Sequence, residues 1–193
     1  MRFLSGLGLV VLSSVLAAAP VPKAAKKTDY FPLALGTKWE YVEGDDVKTT
    51  EVVGVDVQKD GTYVTLTYKG EKAPPPTLRR VFKFVDGDVF SLKTENSEAE
   101  KPALIMKSVV RPDQTWNTEH QWKGGELWTI KYKVRAAKAI KTPAGEFTAL
   151  PVVSDNSRTG KETRWYAAGV GLVRKDAADG TVLSELKSFK AGK

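Results

Sequence analysis

The chain reads as all-β: a strongly curved antiparallel sheet or incomplete β-barrel in a single domain. Three observations carry that reading. Hydrophobic residues recur at every second position, most clearly where Trp128, Ile130, Tyr132 and Val134 alternate with Thr129, Lys131, Lys133 and Arg135. Glycine-bearing reversals separate these runs at short intervals. Beyond the N-terminus, no segment shows the three-to-four spacing of a long amphipathic helix.

The N-terminus is of a different kind. Arg2, an almost uninterrupted apolar stretch over residues 3–16, and Ala17-Ala18-Ala19 have the layout of a cleaved signal peptide over residues 1–19. The stretch is shorter than the roughly 20 residues a spanning helix needs, which favours cleavage over a retained anchor. Residues 20–29, with lysines and prolines and little apolar content, form a flexible basic lead-in. The β domain occupies residues 30–190, and no later segment is apolar enough to span a membrane.

The chain has no cysteine, which excludes a disulfide framework, thiol catalysis and the acylated cysteine of a bacterial lipoprotein. The expectation is therefore an exported protein, periplasmic or secreted, held by its hydrophobic core alone. A mature chain of about 170 residues is long enough to bury one. The net charge of +7 favours weak contact with anionic surfaces. The lysines, however, are spread along the chain between apolar residues, so they serve solubility and indicate no specific nucleic-acid partner.

The elements follow in order. Gly36-Thr37 precedes Trp39 and Tyr41, which share one face of a first strand. Residues 48–57 and 62–69 flank Gln58-Lys59-Asp60-Gly61, a hairpin turn, with Val64, Leu66 and Tyr68 on one face. Pro74-Pro75-Pro76 cannot donate to a ladder and forms a stiff surface connection. Residues 79–85 and 89–93 flank Asp86-Gly87-Asp88, and the polar residues 94–101 read as a mobile loop. Strands follow at 104–110, from Thr115, and at 127–135.

Two C-terminal segments carry tight corners. In Thr142-Pro143-Ala144-Gly145-Glu146-Phe147, Pro143 presets φ and Gly145 supplies a reversal. In Trp165-Tyr166-Ala167-Ala168-Gly169-Val170-Gly171-Leu172-Val173, Trp165 and Tyr166 point to opposite faces, so that one packs into the core and the other covers a sheet edge or cleft mouth. A pseudo-repeat is also legible. Residues 35–40 resemble 112–117, Gly61-Thr62-Tyr63 resembles Gly145-Glu146-Phe147, and the turn at Asp86-Gly87 falls where Gly169-Val170-Gly171 falls, as two fused β meanders would give.

These motifs together resemble a group of exported bacterial proteins without an established activity, the TapB-like proteins. The resemblance rests on Tyr30-Phe31-Pro32-Leu33 with Gly36 to Tyr41, on the Thr142 to Phe147 turn and on the Trp165 to Val173 ending. It covers residues 30–187 but is dense only at those three places. It implies a curved, mostly antiparallel β structure in the bacterial envelope and no activity.

Catalytic chemistry is sparse. His120 is the single histidine, with no Gly-x-Ser-x-Gly elbow and no partners for a zinc site, and reads as a surface turn residue beside two tryptophans. Asp45-Asp46 and Asp86 with Asp88 sit beside glycines as turn residues do. Gly169-Val170-Gly171 precedes a strand, so it is no dinucleotide fingerprint. No enzyme activity, metal or cofactor is expected. Trp116, Trp122, Trp128 and Tyr132 are the candidate ligand-binding residues, lining a groove for a lipid or other apolar ligand, with core packing as the competing role. The alternative is a structural or interaction protein that meets an envelope partner through its surface or a sheet edge.

Overall fold

The computed structural model describes residues 30–70 and 78–193. The signal-type N-terminus, the basic lead-in and Pro74-Pro75-Pro76 lie outside the described residues. Six strands form a first up-and-down meander: β1 (Lys38–Glu43), β2 (Asp46–Gln58), β3 (Gly61–Gly70), β4 (Leu78–Val85), β5 (Asp88–Thr94) and β6 (Ser97–Met106). The second contains β7 (Thr115–Trp122), β8 (Leu127–Val134), β9 (Lys138–Thr142) and β10 (Gly145–Asn156), followed by β11 (Gly160–Ala167), β12 (Gly171–Ala177) and β13 (Val182–Lys190). In the 13-stranded sheet β13 returns to pair with β1 and β10 pairs with β11. The curved sheet therefore closes: β9 apart, the strands make a twelve-membered antiparallel ring.

The two meanders repeat each other in detail. Gly36 and Asp113 both take positive φ, +79° and +63°. The Gly36 amide donates to Val52 O and Val52 N donates to Thr37 O. In the second half Asp113 N donates to Val134 O and Val134 N donates to Gln114 O. Trp39 and Trp116 follow three residues later on the inner face, beside Thr50 and Tyr132 respectively. The β2–β3 turn and the β9–β10 turn each close on a positive-φ glycine, Gly61 and Gly145. What is one long strand in the first half, β2 with its bulge beyond Val52, is broken in the second into β8 and β9. That break produces the thirteenth strand.

Side chains seal the ring at two places where strands splay. β6 and β7 share only the pairs Ala99↔Trp122 and Lys101↔Gln121. Below them, Trp116 Nε1 donates to Leu104 O at 3.1 Å, and Leu104 N donates to Thr118 Oγ1 at 3.0 Å. The pairing of β12 with β13 likewise stops at Arg174↔Glu185. There Trp39 Nε1 donates to Val170 O at 2.6 Å, Tyr41 OH donates to Leu172 O at 2.9 Å, and Ala144 N donates to Leu186 O at 3.0 Å. Carbonyls left without ladder partners are thus satisfied from the barrel interior, as buried backbone requires.

The end of the barrel bearing the 58–61, 85–88 and 167–171 turns, here the lower end, is packed shut. Phe31 meets Phe84 edge-on at 6.1 Å and Tyr166 at 5.5 Å, crossing from β4 to β11. Gly171, packed beside Pro32 and Trp39, turns the adjoining corner at φ +95°, a conformation that residues with a side chain rarely adopt. The C-terminus latches on the same end, with Gly192 N donating to Thr37 Oγ1 and Lys193 N to Leu35 O. Beside Phe31, Phe84 and Met106 a void of only about 10 Å³ remains.

Three sequence expectations need correction. Residues 94–101 are no mobile loop: they form the turn and start of the β5–β6 hairpin, with Lys93↔Glu98 and Thr94↔Ser97 paired. Their polarity reflects a place at the rim. The expected strand over 104–110 is the end of β6, which stops at Met106. His120 is not a surface turn residue but a buried member of β7, 4% exposed.

Candidate binding site in the barrel interior

Cross-strand partners face the same side of a sheet, so the ladder identifies the interior. One row runs Val134–Val152–Arg164–Lys175–Ser184 across β8, β10, β11, β12 and β13; the next runs Tyr132–Ser154–Glu162. Val134, Val152, Ser154 and Ser184 in these rows are buried. Arg164, Glu162 and Lys175 therefore point into the barrel, above the apolar half.

These groups form one charged cluster. Arg164 and Lys175 both pair with Glu162, Lys175 Nζ at 3.4 Å, so two cations share one carboxylate. Three of the six tyrosines couple to it, Tyr68 from β3, Tyr132 from β8 and Tyr166 from β11, and Tyr41 from β1 in turn couples to Tyr68 and Tyr166. Burial raises each phenol above its ordinary value, Tyr132 to about 12. All four stay protonated, and are hydrogen-bond donors, at any physiological pH. Burial works against the Arg164 charge, but Tyr166, Glu162 and Tyr132 together hold its pKa above the ordinary value. It is a permanent cation. Its field reaches Tyr68 on the far side of the ring, where the Arg80 guanidinium lies 4.9 Å from the Tyr68 ring centroid.

Side-chain exposure sets this level of the barrel apart. Tyr132 and Tyr166 are 4% and 5% exposed, while the Arg164 side chain between them keeps 33% of its surface accessible. Lys175 keeps 34%. Such a residue has water against it inside the wall. An eight-stranded barrel is just wide enough for its side chains to fill, and barrels of sixteen or more leave a channel; a twelve-membered ring lies between.

The four sequence-predicted residues all face inward but do not form one groove. Trp116 stacks on Tyr132, centroids 4.7 Å apart at 17°, with Trp116 buried in the core. Trp122 and Trp128 instead clamp His120 edge-on, at 4.4 and 4.7 Å, near the upper rim. His120 Nδ1 meets Lys101 O at 2.9 Å, and burial lowers its pKa, partly offset by that hydrogen bond. Arg158 caps Trp128 at 5.4 Å. Among the described residues, no three His, Cys, Asp or Glu side chains gather as a metal would require.

Two solved structures share this architecture. One is a protein described as exported, with a YmcC-like fold, from Bacteroides fragilis; it is 16% identical, and the match has a TM-score of 0.53 over 86% of this chain and 100% of that one. The other is a protein described as a lipoprotein from Parabacteroides distasonis; it is 15% identical, with a TM-score of 0.54 over 87% of this chain and 100% of that one. This chain has the YmcC-like fold. No family model and no curated protein matches it.

Within the YmcC-like barrel, the interior residues that sequence reasoning missed are Arg164, Glu162 and Lys175. A signal was present. Arg164 and Tyr166 are two residues apart, so placing Tyr166 in the core places Arg164 and Glu162 on the same face.

Proposed function

We propose that the protein is a non-catalytic binding module of the bacterial envelope whose ligand enters the upper half of the barrel. The observation that carries this reading is the accessible Arg164 inside a wall of buried tyrosines. A purely structural barrel of this size gains most by filling its interior, and here the filling stops at a charged layer. The lower end is closed by Phe31 against Phe84 and Tyr166, with a void of only about 10 Å³ beside Phe84 and Met106, so a purely apolar ligand has no room there. Export is supported by the signal-type N-terminus and by two fold relatives described as exported and as a lipoprotein. The non-catalytic reading rests on His120, whose ring contacts are two indoles and a carbonyl instead of a carboxylate or nucleophile. Native mass spectrometry of gently purified protein tests the proposal: a co-purifying mass released on unfolding is expected, and a clean apo mass from every envelope preparation overturns it.

A second reading has one observation of its own. Where β6 and β7 splay, the outer wall bears a groove of about 550 Å³ lined by Lys101, Pro102, Asn117, Glu119 and Lys131 among others. An envelope protein partner would engage the barrel there, and crosslinking from Asn117 in cells would capture it.

A further inference from the structure

The charged layer selects the class of ligand. Of the charges that face the upper lumen, Arg164 and Lys175 share Glu162, Arg80 lies over Tyr68, and beside Tyr41 the ladder adds Lys48, paired with Glu43, and Asp46, so four cations face three carboxylates. The layer is therefore cationic in excess. Around it Tyr68, Tyr132 and Tyr166 each keep an O–H at neutral pH, as any phenol does, and burial raises their pKa values further. Donors and cations around side chains that stay about one-third accessible inside the wall match an oxyanion, and a guanidinium offers a carboxylate or phosphate two parallel hydrogen bonds. The surroundings higher up differ. Leu78 is exposed at the start of β4, and Trp122 and Trp128 lie half-buried near the rim. The polar layer is deep and the apolar surface lies at the mouth.

We propose that the upper lumen is an oxyanion site that takes an amphipathic ligand head first, with a phosphate or carboxylate against Arg164 and Lys175 and the apolar body against the rim. This rests on the binding-module reading and names its ligand class. It reverses the polarity expected of a lipid carrier, in which the tail goes into an apolar core.

Isothermal titration with three probes tests it: dioctanoyl phosphatidic acid, dioctanoylglycerol and inorganic phosphate. The expected result is one-to-one binding of the phosphatidic acid, at least tenfold weaker binding of the uncharged glyceride, and at least tenfold weakening of the phosphatidic acid by Arg164→Gln. Lys175→Gln should weaken it severalfold, so the test stands even where Arg164→Gln does not fold. Inorganic phosphate binding as tightly as the lipid keeps the oxyanion site and overturns the amphipathic ligand. Equal binding of glyceride and phosphatidic acid, untouched by either substitution, overturns the oxyanion site and leaves a binding module. No binding of any probe overturns the site; if the native mass is also that of the bare chain, the module reading falls with it.

Discussion

Replacing Trp116 by Phe isolates the seal between β6 and β7. Phe keeps a ring against Tyr132, whose centroid lies 4.7 Å from that of Trp116, and removes the Nε1–H that donates to Leu104 O. A net hydrogen bond contributes about 1 kcal/mol, and leaving a buried carbonyl unmet costs about 1–3 kcal/mol. The smaller ring adds a modest cavity cost, so Trp116→Phe should destabilise by about 2–4 kcal/mol. At roughly 2–4 °C per kcal/mol for a domain of this size, the melting temperature should drop by about 4–16 °C. Trp39→Phe, which removes the bond to Val170 O at the other seam, should behave alike. Trp122→Phe is the control, since its indole contacts His120 and Trp128 without a backbone acceptor; about 1 kcal/mol or less is expected. Guanidinium unfolding curves read the difference as a shift in midpoint at constant slope. Hydrogen exchange adds a local readout: the Leu104 amide, bonded to Thr118 Oγ1, should lose protection in Trp116→Phe first. Equal costs for Trp116→Phe and Trp122→Phe, with Leu104 still protected, would refute the sealing argument.

Other consequences are as specific. The buried His120 has its pKa below the ordinary 6.5, so the unfolded chain takes the proton first as pH falls. Its contribution is complete above pH 6.5 and declines as pH drops toward the lowered folded value; His120→Gln should flatten the stability profile there, and an unchanged slope would count against burial of the neutral ring. The raised phenols act in the opposite direction, since the unfolded chain loses those protons first above the ordinary value of 10.0. Stability should be full below that pH and fall above it, and phenolate absorbance should report Tyr132 as largely protonated near pH 11, with Tyr41, Tyr68 and Tyr166 also titrating above the ordinary value; a full-amplitude step centred near 10 contradicts this. On the outer face, Asp176 accepts from Trp165 Nε1 at 2.8 Å and pairs with Arg174 Nε at 2.6 Å while buried. Asp176→Asn should cost about 1–3 kcal/mol in denaturant unfolding, whereas Lys101→Ala, which breaks an exposed pair with Glu119, should cost under about 0.5 kcal/mol. Equal effects would remove any special role for the Asp176 network.

The pattern of success and failure in the sequence reading has physical causes. The inward residues of β8 were legible because Trp128, Ile130, Tyr132 and Val134 alternate with polar residues without exception. The two-meander organisation was legible because the same turn chemistry recurs, with Asp113 taking the positive φ that Gly36 takes. Closure was not legible: it depends on the β10–β11 pairing and on β13 meeting β1, contacts between residues far apart in sequence. The β5–β6 hairpin was mistaken for a loop because rim residues meet water on both faces, which erases the alternation. The four candidate aromatic residues all face inward, but adjacent ladder pairs separate them: Trp116 and Tyr132 stack in the packed core while Trp122 and Trp128 close around His120. Arg164 escaped notice because an arginine in a strand reads as solvent-facing, and in a barrel the solvent is also inside.

Accessibility of the charged layer is the central claim, and a chain without cysteine lets one thiol measure it. Glu162→Cys sets a sulfur at the point where Arg164 and Lys175 converge. The native protein should react with small thiol reagents at a rate independent of unfolding, and an anionic reagent should outpace a cationic one of equal size by on the order of tenfold. Modification by both reagents only at the rate of global unfolding would mean a filled barrel and contradict the account.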